Sequence, residues 1–222
     1  MRIICLTGMD GAGKTTLARN LVSRLAAGGV DVVYVYGRTF PVISRLLMAA
    51  GRMTLLRKND QWQNYQAYNN DKKQKMRHPM LRIVYTAAIL IDYYTQIWFK
   101  LLPHLLSQRV VVCDRYIYDT VISDLTVHLG YTENQTRRAI ARGLKWLPIP
   151  FLTALLDLPE DVAFARKDDM PHVDYLHERR GWYLQLASRP EVVKFRADAA
   201  PEAVLDAVFT QIRQQQTKRV LT

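Results

Sequence analysis

The sequence predicts an α/β fold, a three-layer sandwich in which a five-stranded parallel sheet carries helices on both faces and a short lid sits beside it. Three observations predict it. Short apolar runs of strand character alternate with helical stretches along the chain. The runs are apolar throughout, as expected of strands buried on both faces. Two of them end on an aspartate, at Asp114 and Asp157, and the first opens straight into a glycine-rich loop.

Strands are expected at about 2–7, 31–36, 109–113, 152–157 and 191–195. The first, Ile3-Ile4-Cys5-Leu6, is short and apolar. Leu17, Leu21 and Leu25 then recur at helical spacing, and Gly28-Gly29 is placed to end that helix. Val32-Val33-Tyr34-Val35-Tyr36 is β-branched and aromatic, as strands prefer. Between the second and third strands, residues 40–108 are too many for a plain crossover and should hold several helices. Candidates are Ser44 to Leu56, Trp62 to Met76 and Leu81 to Leu102, the last interrupted by Pro103. The whole chain, 1–222, reads as a single domain, with residues 40–108 on the acceptor side and a lid at about 164–178.

Composition narrows the function classes. The chain is 49 % hydrophobic and 23 % charged, in the range of globular proteins. It runs directly into a strand, so no secretory signal is expected. The most apolar stretch, Ile83 to Leu106, is broken by Asp92, Gln96, Lys100, Pro103 and His104, so no membrane association is expected. Cys5 and Cys113 fall in expected buried strands and read as core thiols of a reducing cytoplasm rather than as a disulfide. The histidines show no metal-ligand spacing. The net charge of +11 suits a protein that handles anions. Much of the excess lies between Arg52 and Arg82, as a solvated helical face or an attractor of phosphate ligands. No nucleic-acid motif accompanies it, so no nucleic-acid partner is expected.

The chemistry is concentrated in Gly8-Met9-Asp10-Gly11-Ala12-Gly13-Lys14-Thr15-Thr16, a complete G-x-x-x-x-G-K-[ST] pattern between a strand and a helix. A polyphosphate needs converging backbone N–H groups, and side chains at Gly11 or Gly13 would obstruct that approach. The helix start adds donors and a positive dipole end. Lys14 supplies a charge for the β- and γ-phosphates, and the Thr15 hydroxyl is an oxygen ligand for Mg²⁺. The chain is therefore expected to have the P-loop NTPase fold. At the end of the third strand, Asp114-Arg115-Tyr116 puts a carboxylate beside the loop as a second metal ligand and an arginine beside it for a further phosphate.

The glycine loop and Asp114-Arg115-Tyr116 together resemble the corresponding motifs of the thymidylate kinase family. Leu156-Asp157-Leu158-Pro159-Glu160-Asp161-Val162-Ala163 resembles that family's fourth strand leading into the lid, and Tyr183-Leu184-Gln185-Leu186-Ala187 the helix after it. Asp198-Ala199-Ala200-Pro201-Glu202 is similar to the loop that packs near adenine. The resemblance runs from residue 2 to about 212. It implies phosphoryl transfer from ATP·Mg²⁺ to a nucleoside monophosphate, with dTMP the leading acceptor. It implies nucleotide contacts at Gly8, Gly11, Ala12, Gly13, Lys14, Thr15, Thr16, Ala199 and Ala200, and metal contacts at Thr15 and Asp114. Catalytic roles fall to Lys14, Asp10, Arg115 and a lid arginine, Arg166. Acceptor binding falls to Arg38, Arg115 and Tyr93. Lys167 is a second lid cation. Arg179 and Arg180 on the next helix read either as further phosphate ligands or as surface ion pairs with Asp174 or Glu178. The family is typically homodimeric, and the helix at 83–102 is either a two-fold interface or internal.

The sequence departs from the family pattern at three places. Asp92-Tyr93 stands where an Asp-Arg pair is usual. Ile117-Tyr118-Asp119-Thr120 replaces a run of small residues. Pro-Gly-Gly after Arg38 is absent. Two other readings therefore stand beside a thymidylate kinase-like enzyme: a P-loop kinase acting on another nucleotide, nucleoside or phosphorylated small molecule, and an ATP-binding switch without a dedicated acceptor.

Overall fold

The computed structural model describes residues 3–42, 44–45, 78–166 and 173–220. Five strands form one parallel sheet: β1 (Ile3–Thr7), β2 (Val32–Tyr36), β3 (Val110–Asp114), β4 (Leu152–Asp157) and β5 (Val192–Arg196), in the order β2-β3-β1-β4-β5. Every residue of β1 is buried, as the unbroken apolar run requires at the sheet centre. The crossovers that leave the adjacent strands β1 and β3 run in opposite directions across the sheet, so the loop after β1 opens at the crevice where α/β sheets bind ligands. Cys5 and Cys113 lie opposite each other on β1 and β3 as free, buried thiols, and burial pushes both pKa values up, that of Cys113 to about 12.

Helix α1 (Lys14–Ala27) starts after Gly13, buries Leu17, Ala18, Leu21 and Leu25 at helical spacing, and ends at Gly28 and Gly29 as expected. Helix α2 (Pro79–Leu106) is longer than the sequence suggests at both ends. Pro103 does not end it. The ring removes one helical hydrogen bond, to Phe99, but Phe99 is 82 % exposed, and Ser107 closes the last turn with its N–H and hydroxyl both donating to the Pro103 carbonyl. One face of α2 is buried through Tyr85, Ile89, Tyr93, Ile97 and Leu101, while Ile83, Ile91, Phe99, Leu102 and Leu106 stay exposed on the other.

After β3 the chain turns sharply into α3 (Ile117–Thr120), continuous with a π-helical stretch, Val121–Thr126, and α4 (Val127–Leu129). Helix α5 (Glu133–Leu144) opens with a capping box between Thr132 and Gln135. Helices α6 (Glu160–Ala165) and α7 (Val173–Leu184) follow β4 and pack on each other, and α8 (Pro201–Val220) packs against α1, where Arg24 pairs with Asp206. The candidate helices beyond Arg45 and up to residue 76, the basic segment apart from Arg82, and Lys167 lie outside the described residues. Among the described residues no helix is long and apolar enough to cross a membrane.

Candidate active site

The loop between β1 and α1 is shaped by its glycines. Gly11 has φ +83°, and a Cβ there would sit 2.8 Å from the Ala163 carbonyl of α6, so only glycine lets the loop pass beneath that helix. Lys14 is buried, and its Nζ donates to the Met9 carbonyl at 2.6 Å. Burial, reinforced by the Arg115 charge, lowers the Lys14 pKa to about 8. An arriving polyanion would offset both effects and hold the lysine charged at higher pH.

Asp114 joins this loop to β3. Its Oδ2 accepts from Thr15 Oγ1 at 2.6 Å and from the Tyr34 hydroxyl at 3.0 Å. Burial and the neighbouring Asp114 push the Tyr34 pKa up to about 12, so the phenol stays a donor. The other Asp114 oxygen, Oδ1, is buried without a hydrogen-bond partner among the described residues. An orphaned carboxylate oxygen beside a threonine hydroxyl fits a hard cation that takes oxygen ligands and carries other oxygens with it.

A second cluster sits next to the loop. Arg115 is 11 % exposed at its side chain. It donates Nη2 to Asp10 Oδ1 in a short contact and Nη1 to Asp119 Oδ1 at 3.4 Å. Burial works against the Asp10 carboxylate, but the Arg115 and Lys14 charges override it and hold its pKa well below the usual range. Burial likewise works against the Arg115 charge, and Asp119 and Asp10 override it, so the guanidinium stays firmly charged. The Arg115 backbone has φ +75°, a left-handed conformation that disfavours a side chain by about 1–3 kcal/mol. Its N–H donates to the Leu6 carbonyl at 2.9 Å, which holds the turn. Gly37 makes room for it: a Cβ at 37 would lie 1.9 Å from the Arg115 carbonyl. The close approach carries Arg38 to the same side of the sheet, where it pairs with Asp124 at 3.4 Å and senses both Asp10 and Arg115.

Asp119 is the residue that sequence reasoning undervalued. It is 2 % exposed and accepts from Thr7 Oγ1 at 3.1 Å, the Tyr116 N–H at 3.0 Å, Arg115 and the Tyr183 hydroxyl at 3.0 Å. It lies four positions after Arg115, but Arg115 precedes α3 in a left-handed turn, so no helical spacing in the sequence announced the pair. Tyr175 was also missed; its hydroxyl donates to Asp10 Oδ2 at 3.4 Å from the lid-side helix α7.

On the far side of the loop lies a cavity of about 290 Å³, walled by Gly11, Ala12, Gly13, Thr16, Leu17 and Asn20 on one side and by Arg166, Ala197, Ala199 and Pro201 on the other. Arg166 is exposed there, and its Nη1 donates to the Ala197 carbonyl at 3.4 Å. The guanidinium thus borders the 197–201 loop and not the Arg115 cluster. Ala200 faces outward and caps α8 through its carbonyl, while its neighbours form the wall. Gly8 lies against the Leu156 carbonyl, beneath the loop.

Tyr93 does not line a cleft. It has no exposed surface, packs edge-on to Tyr94 at 5.8 Å between ring centres, and its buried hydroxyl has no partner among the described residues. Its helical position puts it on the buried face of α2, where an aromatic ring is most useful as core. Asp92 beside it is occupied: Oδ2 accepts from the Val42 and Ser44 N–H groups and from the Ser44 hydroxyl. Arg180 binds Asp157 and Glu160 at 2.9 and 2.6 Å, not the expected acidic neighbours of its own helix. Arg179 is buried over the Tyr175 ring, 3.5 Å from its centre.

No family model matches the chain. Curated relatives do, along nearly the full length. The thymidylate kinase of Thermomicrobium roseum is 27 % identical over 225 residues, spanning 94 % of this chain and 93 % of the relative. Probable thymidylate kinases of Pyrococcus abyssi and Methanosphaera stadtmanae are 28 % and 26 % identical, each spanning 96 % of the relative and 96 % and 94 % of this chain. The complete glycine loop, the strand-end Asp-Arg pair and the five-stranded parallel sheet are those of a P-loop protein, and these matches support a likeness to the thymidylate kinases.

Proposed function

We infer that the protein is a nucleoside monophosphate kinase that transfers the γ-phosphoryl group of ATP to dTMP, giving ADP and dTDP. The observation that carries this reading is the convergence of Arg38, Arg115 and Asp10 next to the Lys14 loop. A protein that only binds ATP has no need of a second arginine cluster adjoining the γ-phosphate end. The acceptor is that of the similar thymidylate kinases.

In this reading the loop N–H groups and Lys14 hold the β- and γ-phosphates, and the cavity beside Ala199 and Arg166 takes adenine. Thr15 and Asp114 would hold Mg²⁺, which when bound would neutralise charge on the donor phosphates. Arg38 and Arg115 bind the acceptor phosphate. One of its oxygens forms the new bond to the γ-phosphorus as the bond to the ADP oxygen breaks, so no covalent enzyme intermediate is needed. Positioning and charge neutralisation supply the catalysis. The whole chain forms one kinase domain, with residues 40–108 on the acceptor side and 164–178 closing as the lid. The exposed apolar face of α2 is the proposed contact of a homodimer.

One observation favours a second acceptor. Tyr93 is buried and Asp92 accepts from the Val42 and Ser44 N–H groups, so neither is free to read a thymine edge. A different nucleoside monophosphate is the alternative. ATP·Mg²⁺-dependent phosphorylation over a panel of nucleoside monophosphates separates the two. The expected result is fastest turnover of dTMP; faster turnover of another monophosphate installs the alternative, and ATP binding that no acceptor stimulates rejects both.

A further inference from the structure

We propose that the groove between the start of α2 and the outer face of α5 is a second phosphate-binding site, built for a di- or triphosphate chain and separate from the nucleotide cleft. The groove encloses about 300 Å³ and is lined by Arg82, Tyr131, Gln135, Arg138, Ala139 and Arg142. It shares no lining residue with the P-loop cavity. At about 30 Å³ per water it holds roughly ten, enough for a chain of two or three phosphates.

The charge arrangement is the first argument. Three arginines line one cavity, and among the described residues no carboxylate lines it. Arg138 and Arg142 stand four apart on α5, a spacing at which like charges repel. Neither forms an ion pair among the described residues, and both are exposed and so open to an arriving anion. An anion in the groove would relieve that repulsion. Guanidinium groups suit phosphate in particular, because their planar forks offer paired N–H donors to tetrahedral oxygens.

Preorganisation is the second. The Arg82 guanidinium lies over the Tyr131 ring, 4.7 Å from its centre, and donates Nη2 to Gln135 Oε1 at 3.5 Å. That oxygen is itself fixed, since it accepts from the Thr132 N–H at 3.0 Å in the capping box of α5. The Tyr131 hydroxyl is tied to Thr86 Oγ1 at 3.4 Å. A surface arginine is thus held in one place by the cap of the helix that carries the other two. With its ring face covered by Arg82, Tyr131 offers no platform for a base, so the groove reads the phosphate chain itself.

The test is calorimetric titration of inorganic tripolyphosphate into the full-length Lys14→Ala protein at about 150 mM salt, where diffuse surface attraction is screened. One saturable site is expected. The further changes Arg138→Ser and Arg142→Ser should weaken it more than tenfold without lowering the melting temperature, because they remove a repulsive pair. Ala139→Glu, which sets a carboxylate in the groove, should abolish it. Equal affinity for ATP would identify the bare phosphate chain as ligand, and a tenfold preference for ATP would identify a nucleotide as its source. Absence of saturable binding to the Lys14→Ala protein, or undiminished binding after both arginines are removed, overturns the proposal.

Discussion

The phosphate loop and the arginine cluster lie side by side, but they are made of different materials. The loop is one run of residues, Gly8 to Thr16, and most of its binding groups are backbone N–H donors and a helix start. The cluster is made of side chains from separate elements. Asp10 comes from the loop, Arg38 from the end of β2, Arg115 and Asp119 from the β3–α3 turn, and Tyr175 and Tyr183 from α7. The loop leaves an open cavity beside it, while the cluster satisfies its own charges internally. The contrast suggests a division of labour. A backbone cradle accepts any polyphosphate of the right length, whereas an ion-paired cluster must exchange an internal partner for a ligand and so discriminates among ligands.

Breaking the cradle should have the largest effect. Lys14→Ala should lower kcat/KM for every acceptor by about 10³-fold, the loss typical of a charge-stabilising donor, in a coupled assay of ADP release. Equal loss across all acceptors is what distinguishes the cradle from the cluster.

Breaking the cluster should be selective. Asp119→Asn removes the charge that orients Arg115 while keeping the side chain's shape. A charged hydrogen bond is worth about 1.5–3 kcal/mol, so kcat/KM for the acceptor should fall roughly 10- to 150-fold, with the KM for ATP within about twofold of wild type. A matching rise in the KM for ATP would mean that the two halves are not separable.

The pH response sharpens the comparison from the other side. In the empty protein Lys14 titrates near 8, below an ordinary lysine, because its charged form is disfavoured. The unfolded chain therefore binds the proton more tightly, and the empty protein should gain stability as pH rises from about 8 towards the ordinary lysine range. Nucleotide phosphates need the charged form. Binding should take up close to one proton at about pH 9 and little at about pH 7, measured by calorimetry in buffers of different ionisation enthalpy. Variation at the cluster should leave this uptake unchanged.

The smallest effect is expected at Tyr93. Removing an unpartnered buried hydroxyl by Tyr93→Phe should change acceptor kcat/KM less than about twofold and leave the melting temperature equal or higher. Tyr93→Ala should destabilise by about 3–5 kcal/mol through the cavity it leaves. A specific loss of acceptor affinity in the Phe variant would return Tyr93 to the cleft.

These differences also explain what was legible in the sequence. Gly11, Lys14 and Thr15 announce themselves because their chemistry is set by near neighbours, and Asp114 because an apolar strand ends on it. The strands follow for the same reason, their apolar runs being uninterrupted. Asp119 reads in sequence only as a departure from a small-residue run. Its importance comes from Thr7 and Tyr183, which lie 112 and 64 positions away. Tyr93 misleads because an aromatic residue on a helix looks the same whether it faces a ligand or the core. Pro103 misleads because its cost depends on whether the carbonyl one turn earlier faces water, which no local pattern records.

The separations within the cluster bear on how the molecule comes into being. Arg115 meets Asp10 across 105 positions and Asp119 meets Thr7 across 112, so these contacts close long loops late, after the local turns of α1 have formed. During refolding, helix signal should return before catalytic competence. The cradle rests on partners just as distant, Gly11 on Ala163 and Thr15 on Asp114, so a newly made chain would gain its grip on a phosphate chain and its choice of what to phosphorylate together, once β3 and β4 have joined the sheet.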